Sequence, residues 1–89
     1  MARLLAGSLT QSLGQTVLVE NKAGAAGALA TDYVAKAPKD GYTLLFGSSS
    51  SFAVNPAVMK SLRFDVQKDL KLVSLVSYTP HVLVVRGSL

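Results

Sequence analysis

Two short segments of small residues carry the groups with which this sequence could bind a ligand. They comprise Gly24, Ala25, Ala26 and Gly27, and then Ser48, Ser49 and Ser50. Each segment follows an apolar run typical of a buried β-strand. Small residues between a strand and a helix leave main-chain N–H groups accessible, and serine adds hydroxyl donors. The pattern therefore predicts an anion site, for a carboxylate or a phosphate, at the carboxyl ends of two strands.

Both segments also have a structural interpretation that the sequence leaves open. Glycine and alanine at 24–27 would let a helix pack tightly on a sheet, and one Gly-x-x-Gly falls short of the full dinucleotide-binding signature. A serine-rich turn at 48–50 would also arise if one serine capped the following helix.

Catalytic and metal-binding interpretations have less support. A nucleophile elbow needs Gly-x-Ser-x-Gly, but Ser51 occupies the last glycine position. A hydrolase using Ser49 with His81, the only histidine, is retained as an alternative. The five acidic residues show no pairing suited to acid–base catalysis, and the chain has no cysteine. We expect no catalytic residues, no metal site and no cofactor.

Composition predicts one small globular domain. Of the 89 residues, 49% are hydrophobic and 16% charged, which excludes a disordered chain. The net charge is +4, but the basic residues are spread from Arg3 to Arg86, so nucleic-acid binding is not expected. The apolar start of the chain is interrupted by Gly7 and Ser8, which favours a helix over a signal peptide.

Hydrophobic periodicity predicts alternating helices and strands in the first half of the chain. A leucine stripe predicts a helix over 2–13 that ends at Gly14, and 16–20 reads as a strand. A second helix over 28–37 is closed by Pro38, and 42–46 is the next strand. This order implies a right-handed parallel crossover.

The second half predicts shorter elements. Asn55 is a candidate cap for a helix that begins at Pro56, and Asp65 for a turn that runs to Asp69. Strands at 72–76 and 81–85 are joined by only four residues, which indicates a hairpin or a change of direction. The fold class predicted for the chain is therefore α/β, a mainly parallel sheet flanked by helices.

With these residues in place, the chain resembles the substrate-binding receptors of tripartite tricarboxylate transporters, the Bug-type periplasmic solute receptors. The matching stretches include LGQTVLVEN at 13–21, VAKAPKDGYTLL at 34–45, GSSS at 47–50 and NPA at 55–57. Further matches lie at 2–6, 73–76 and 82–85, so the resemblance covers nearly all of the chain in collinear order.

The resemblance implies a fold, a function and a location. The fold would be part of a type II periplasmic-binding-protein lobe, and the function would be binding of a small carboxylate for a membrane permease, without enzymatic activity. The family's ligand loops would correspond to residues 24–27 and 48–50. Periplasmic location is implied by the resemblance alone.

The chain departs from the family pattern at several loop positions. Ala23 stands where proline is usual, Ala26 where a second glycine is usual, and Ala28 where asparagine is frequent. Ser51 and Phe52 replace a threonine–histidine pair. These differences leave the identity of the ligand open.

The resemblance also implies that residues 1–89 are a fragment of the first of two lobes. A central first strand and a glycine-rich, aspartate-bearing loop would precede Ala2, and the remainder of the receptor would follow Leu89. Two hypotheses follow. The chain is either a piece of a carboxylate receptor or a truncated, non-binding remnant that self-associates through exposed sheet edges.

Overall fold

The structure, a computed structural model, describes residues 1–88. Its helices are α1 (Ala2–Leu13), α2 (Ala28–Lys36), α3 (Asn55–Val58) and α4 (Val66–Asp69). A tight turn at Ala25–Gly27 leads into α2, and a wide π-helical turn at Ser50–Val54 leads into α3.

Helix α1 has the predicted bounds, and its end is fixed by local hydrogen bonds. Gly14 adopts the left-handed conformation (φ 68°), and its N–H donates to the Thr10 carbonyl at 3.1 Å. The Thr10 hydroxyl donates to the Ala6 carbonyl at 2.8 Å and accepts from the Val17 N–H at 3.0 Å. One threonine therefore ties the end of the helix to the segment that follows it.

The ends of α2 and α4 follow equally local chemistry. Helix α2 stops one residue before its predicted end, because Ala37 is extended (φ −67°, ψ 159°) ahead of Pro38. The Asp65 carboxylate caps α4 as predicted, accepting from the N–H groups of Gln67 at 2.9 Å and Lys68 at 3.2 Å.

The predicted α/β fold class is wrong for the described residues. Residues 1–88 contain no β-strand, so neither the mainly parallel sheet nor the parallel crossover of a type II periplasmic-binding-protein lobe is formed. The four predicted strands, at 16–20, 42–46, 72–76 and 81–85, have no regular secondary structure. A helix satisfies its main-chain groups within its own sequence, whereas a strand needs a neighbouring strand at the correct register. These segments do not supply that neighbour to one another.

The described chain is consequently extended. Its principal dimensions are 57 × 30 × 21 Å and its radius of gyration is 15.8 Å, against about 12 Å for a compact domain of this length. Its accessible surface is 7702 Å², against roughly 5,000 Å² for a compact protein of similar mass. Large apolar side chains remain exposed, and Leu83 is 94% exposed.

The most buried residues are small. They are the apolar Ala6, Ala28 and Ala35, and the polar Thr31, Ser51 and Asn55. All except Ala6 lie on α2 or on the helical run of residues 50–58. The centre of the structure is therefore the place where the turn that leads into α2 meets the helical run.

Gly47 packs against the aromatic ring of Phe52 at the start of the helical run. A Cβ atom on Gly47 would lie 2.8 Å from Cε2 of Phe52 and overlap the ring. Gly7, by contrast, lies in α1 with no atom within 4 Å of the corresponding position.

We predict opposite effects of alanine at these two glycines. Gly47→Ala should lower the free energy of unfolding by about 1–3 kcal/mol, because the Phe52 ring must move. Gly7→Ala should raise it by about 0.5–1 kcal/mol, because alanine favours the helix. Urea denaturation of the protein at its natural length measures both. A neutral Gly47→Ala would contradict the packing described here.

Candidate functional site

The first of the two segments selected from the sequence meets the helical run that follows the second. The turn of residues 24–27 contacts the helical run of residues 50–58, and Asn55 joins them. Its side-chain Nδ2 donates a hydrogen bond to the Ala26 carbonyl at 2.9 Å, across 29 positions of sequence. Asn55 is only 4% exposed, so this bond lies largely out of water. We call this contact region the loop junction.

A second contact lies beside that hydrogen bond. A Cβ atom on Gly27 would lie 2.7 Å from Oγ of Ser51, so the serine side chain packs directly against the glycine. Ser51 is buried. From the other side, the fully buried Thr31 donates a hydrogen bond from Oγ1 to the Gly27 carbonyl at 2.9 Å. The turn is therefore fixed by side chains from both α2 and the helical run.

Every residue of the turn has a positive φ. Gly24, Ala25, Ala26 and Gly27 have φ values of 139°, 47°, 53° and 88°. The Gly27 N–H closes the turn by donating to the Gly24 carbonyl at 3.0 Å. Left-handed helical conformation costs an alanine about 1–2 kcal/mol. Two consecutive alanines in this region make residues 24–27 a strained segment that needs support from its surroundings.

The loop junction presents main-chain donors to solvent. Residues 24–26 and 48–50 are exposed. Among the hydrogen bonds that close turns and link separate parts of residues 1–88, none is donated by the amide groups of Ala25, Ala26, Ser48, Ser49 or Ser50. The amide of Gly27 differs, because it is used within the turn. Five of the seven predicted site residues therefore lie at the surface without a role in closing the turn, whereas the Gly27 amide closes it.

The charged side chains near the loop junction pair with one another. Lys22 Nζ lies 4.2 Å from the centre of the Tyr33 ring and 3.8 Å from a Glu20 carboxylate oxygen. Lys36 Nζ donates a hydrogen bond to Asp32 Oδ2 at 2.9 Å. The other carboxylate oxygen, Oδ1, lies 2.7 Å from Nζ and forms an ion pair, but its angle does not meet hydrogen-bond geometry. Residues 24–27 and 48–50 themselves carry no charge. Any anion bound by these segments would meet neutral donors.

Two surface grooves of the described residues lie outside the loop junction. One runs beside α2 and includes Asp32 and Lys36, and the other lies between Phe52 and Phe64. Neither is lined by a predicted site residue. Among residues 1–88 no three metal-ligating side chains gather, and no helix is long and apolar enough to cross a membrane.

Asn55 and Ser51 are the residues whose roles the sequence did not reveal. Asn55 was expected to cap a helix beginning at Pro56, but its backbone is itself helical (φ −57°, ψ −47°). The helical run begins earlier, at the π-helical turn of Ser50–Val54, so the Asn55 side chain is free to reach Ala26. π-helical turns are frequent at functional sites. The only signal in the sequence was an Asn–Pro pair, which is also typical of a simple cap.

Comparison with known proteins decides the family. A model described as the tripartite tricarboxylate transporter family receptor matches residues 1–89. The chain belongs to this receptor family. The resemblance seen in the sequence is thereby confirmed, and a family of receptors agrees with the expectation that the chain is not an enzyme. The hydrolase alternative with Ser49 and His81 has no support from this assignment.

Three relatives illustrate the match. Protein BugT of Bordetella pertussis is 50% identical over 90 residues, which cover 100% of the chain and 28% of the relative. A UPF0065 protein of Bordetella bronchiseptica is 43% identical over 84 residues, which cover 94% of the chain and 25% of that relative. A UPF0065 protein of Agrobacterium vitis is 40% identical over 89 residues, which cover 100% of the chain and 25% of that relative. The receptor chain thus spans about a quarter of these curated relatives. No solved structure matches it significantly.

The contact between Ser51 and Gly27 can be tested by comparing two glycine substitutions, with Gly14 as the control. Gly14→Ala places a side chain at φ 68° in open space and should cost only conformational strain, about 1–2 kcal/mol. Gly27→Ala adds displacement of Ser51, about 1–3 kcal/mol more. Urea denaturation of the receptor measures both costs. Equal costs would mean that Ser51 does not pack against the turn.

Proposed function

We propose that the loop junction forms one wall of a carboxylate site in an extracytoplasmic solute receptor. Main-chain N–H groups of residues 24–26 and the hydroxyl and N–H groups of residues 48–50 bind one carboxylate. The rest of the ligand contacts other parts of the receptor. The receptor acts in the periplasm and passes its solute to the membrane permease of a tripartite tricarboxylate-type transporter.

The exposed position of residues 24–26 and 48–50, with their main-chain N–H and hydroxyl groups, is the observation that carries this proposal. Hydrogen bonds from N–H and O–H groups to a carboxylate are stronger than those between neutral partners. Two nearby carbonyl oxygens already accept hydrogen bonds, that of Ala26 from Asn55 and that of Gly27 from Thr31. These oxygens therefore repel an approaching anion less.

The surrounding charge supports an anionic ligand. Helix α2 begins at Ala28, after its N-cap residue Gly27, and has no acidic residue in its first turn, so its positive end is not neutralised there. The chain carries a net charge of +4. Binding by neutral donors also leaves the site free of a fixed counter-charge, which favours reversible uptake and release of the ligand.

We also propose that residues 1–89 are part of the first of two lobes. The chain covers 28% of the length of BugT, and its accessible surface exceeds that of a compact protein by roughly 2,700 Å². That excess is as large as a permanent interface between proteins. Further parts of the receptor would cover it and would supply the remaining ligand contacts.

The serine hydroxyls provide the direct test. In the receptor at its natural length, Ser48→Ala combined with Ser49→Ala should weaken binding of succinate or citrate by at least about tenfold, since a hydrogen bond to a charged group contributes about 1.5–3 kcal/mol. Isothermal titration calorimetry measures the dissociation constants.

Ser61→Ala combined with Ser74→Ala is the matched control, because both serines are exposed and lie outside the loop junction. This control should bind as the wild type does. Unchanged affinity in the Ser48 and Ser49 double variant would remove these hydroxyls from the site. Failure of the unmodified receptor to bind either carboxylate would refute the proposed ligand class.

Exposed apolar side chains favour a second candidate, a non-binding remnant that self-associates. Residues 72–76 and 81–85 combine β-branched and leucine side chains with main chain that is not paired within residues 1–88. Such segments readily pair with a second chain. The 89-residue chain alone would then form dimers or larger assemblies and bind no carboxylate.

Size-exclusion chromatography with light scattering tests this candidate. The 89-residue chain at micromolar concentration should elute at twice its mass of 9.3 kDa or more. Leu83→Asp, which puts a charge on the exposed segment, should shift it toward monomer. Leu4→Asp on α1 is the control, because Leu4 is also largely exposed but lies in a helix. A monomeric wild-type chain would contradict the candidate.

A further inference from the structure

We infer that Asn55 is a positioning residue for the proposed carboxylate site, because its hydrogen bond to Ala26 holds residues 24–27 in their left-handed conformation. The inference rests on the proposed function for its effect on binding. Asn55 does not contact the ligand in this scheme. By holding the φ values of Ala25 and Ala26, it also sets the direction in which their amide groups point.

The hydrogen bond is placed where it can have this effect. It joins a buried side chain to the carbonyl of the second left-handed alanine at 2.9 Å. The orientation of that carbonyl fixes the plane of the peptide between Ala26 and Gly27, since the peptide group is rigid. Ser51 packs on the following glycine and limits its movement. The second half of the turn is thus fixed at two adjacent residues.

The strain in the turn makes such support necessary. Ala25 and Ala26, with φ of 47° and 53°, lie in a region that alanine rarely adopts. Without the bond from Asn55, these residues can relax to negative φ, which changes the direction of their amide groups. A ligand must afterwards drive the turn back into place, which lowers its apparent affinity.

This scheme predicts a rescue that a purely stabilising role does not. Glycine adopts the left-handed region without strain, so Ala26→Gly lets the turn reach its binding conformation even when Asn55 is removed. Asn55→Ala should weaken binding of succinate or citrate by about tenfold. Adding Ala26→Gly to that variant should recover at least about threefold of the loss, because the left-handed turn then costs less to form.

The experiment uses the receptor at its natural length and isothermal titration calorimetry with succinate and citrate. The variants are Asn55→Ala, Ala26→Gly, their combination, and Asn21→Ala as a control at an exposed asparagine outside the loop junction. Equal affinity losses in Asn55→Ala with and without Ala26→Gly would overturn the positioning role. Unchanged affinity in Asn55→Ala would also overturn it.

A second measurement separates this inference from the proposed function. NMR scalar couplings that report the sign of φ are measured at Ala25 and Ala26 without ligand. In Asn55→Ala they should shift from values for positive φ toward values for negative φ, and in Asn21→Ala they should not. Unchanged couplings in Asn55→Ala would overturn the inference. If the wild-type receptor binds neither carboxylate, the proposed function fails, and the couplings still decide whether Asn55 holds the turn.

Discussion

One hydrogen bond, from the Asn55 side chain to the Ala26 carbonyl, joins the two halves of the described structure. Helices α1, α2 and α4 are stabilised by contacts within a few residues. The loop junction instead depends on residues that are far apart in sequence. It brings a strained turn beside a serine-rich segment and occupies carbonyl groups that would repel an anion. The proposed function therefore depends on a hydrogen bond that contributes modestly to stability but determines how the turn of residues 24–27 is placed against the helical run.

The sequence predicted those features that local chemistry determines. Gly14 ends α1, Pro38 limits α2 and Asp65 caps α4 as their residue types indicate. The strands predicted at 16–20 and 42–46 are wrong for the described residues, because a strand's hydrogen bonds depend on a partner elsewhere in space. Alternation of side chains indicates that a segment suits a sheet, but it does not supply the neighbouring strand.

Those features of the candidate site that depend on local residue types were predictable from the sequence. Glycine, alanine and serine after apolar runs indicated where accessible donors would lie, and the structure places residues 24–27 against the helical run that follows residues 48–50. The choice of binding residues remains a prediction. The sequence did not indicate that Ala25 and Ala26 would be left-handed, since alanine favours the right-handed region. Nor did it distinguish the buried Ser51 from the exposed serines before it, because that difference arises from packing against Gly27.

The large exposed surface of residues 1–88 has a thermodynamic consequence. Heat capacity and denaturant sensitivity both scale with the surface that unfolding newly exposes. Because 7702 Å² is already accessible, unfolding exposes comparatively little additional surface in this part of the chain. Its own transition would be broad, with a shallow dependence on urea. If further parts of the receptor cover these residues, as proposed, a sharp, cooperative transition would arise from the covered surfaces, and the loop junction would share the melting temperature of its surroundings.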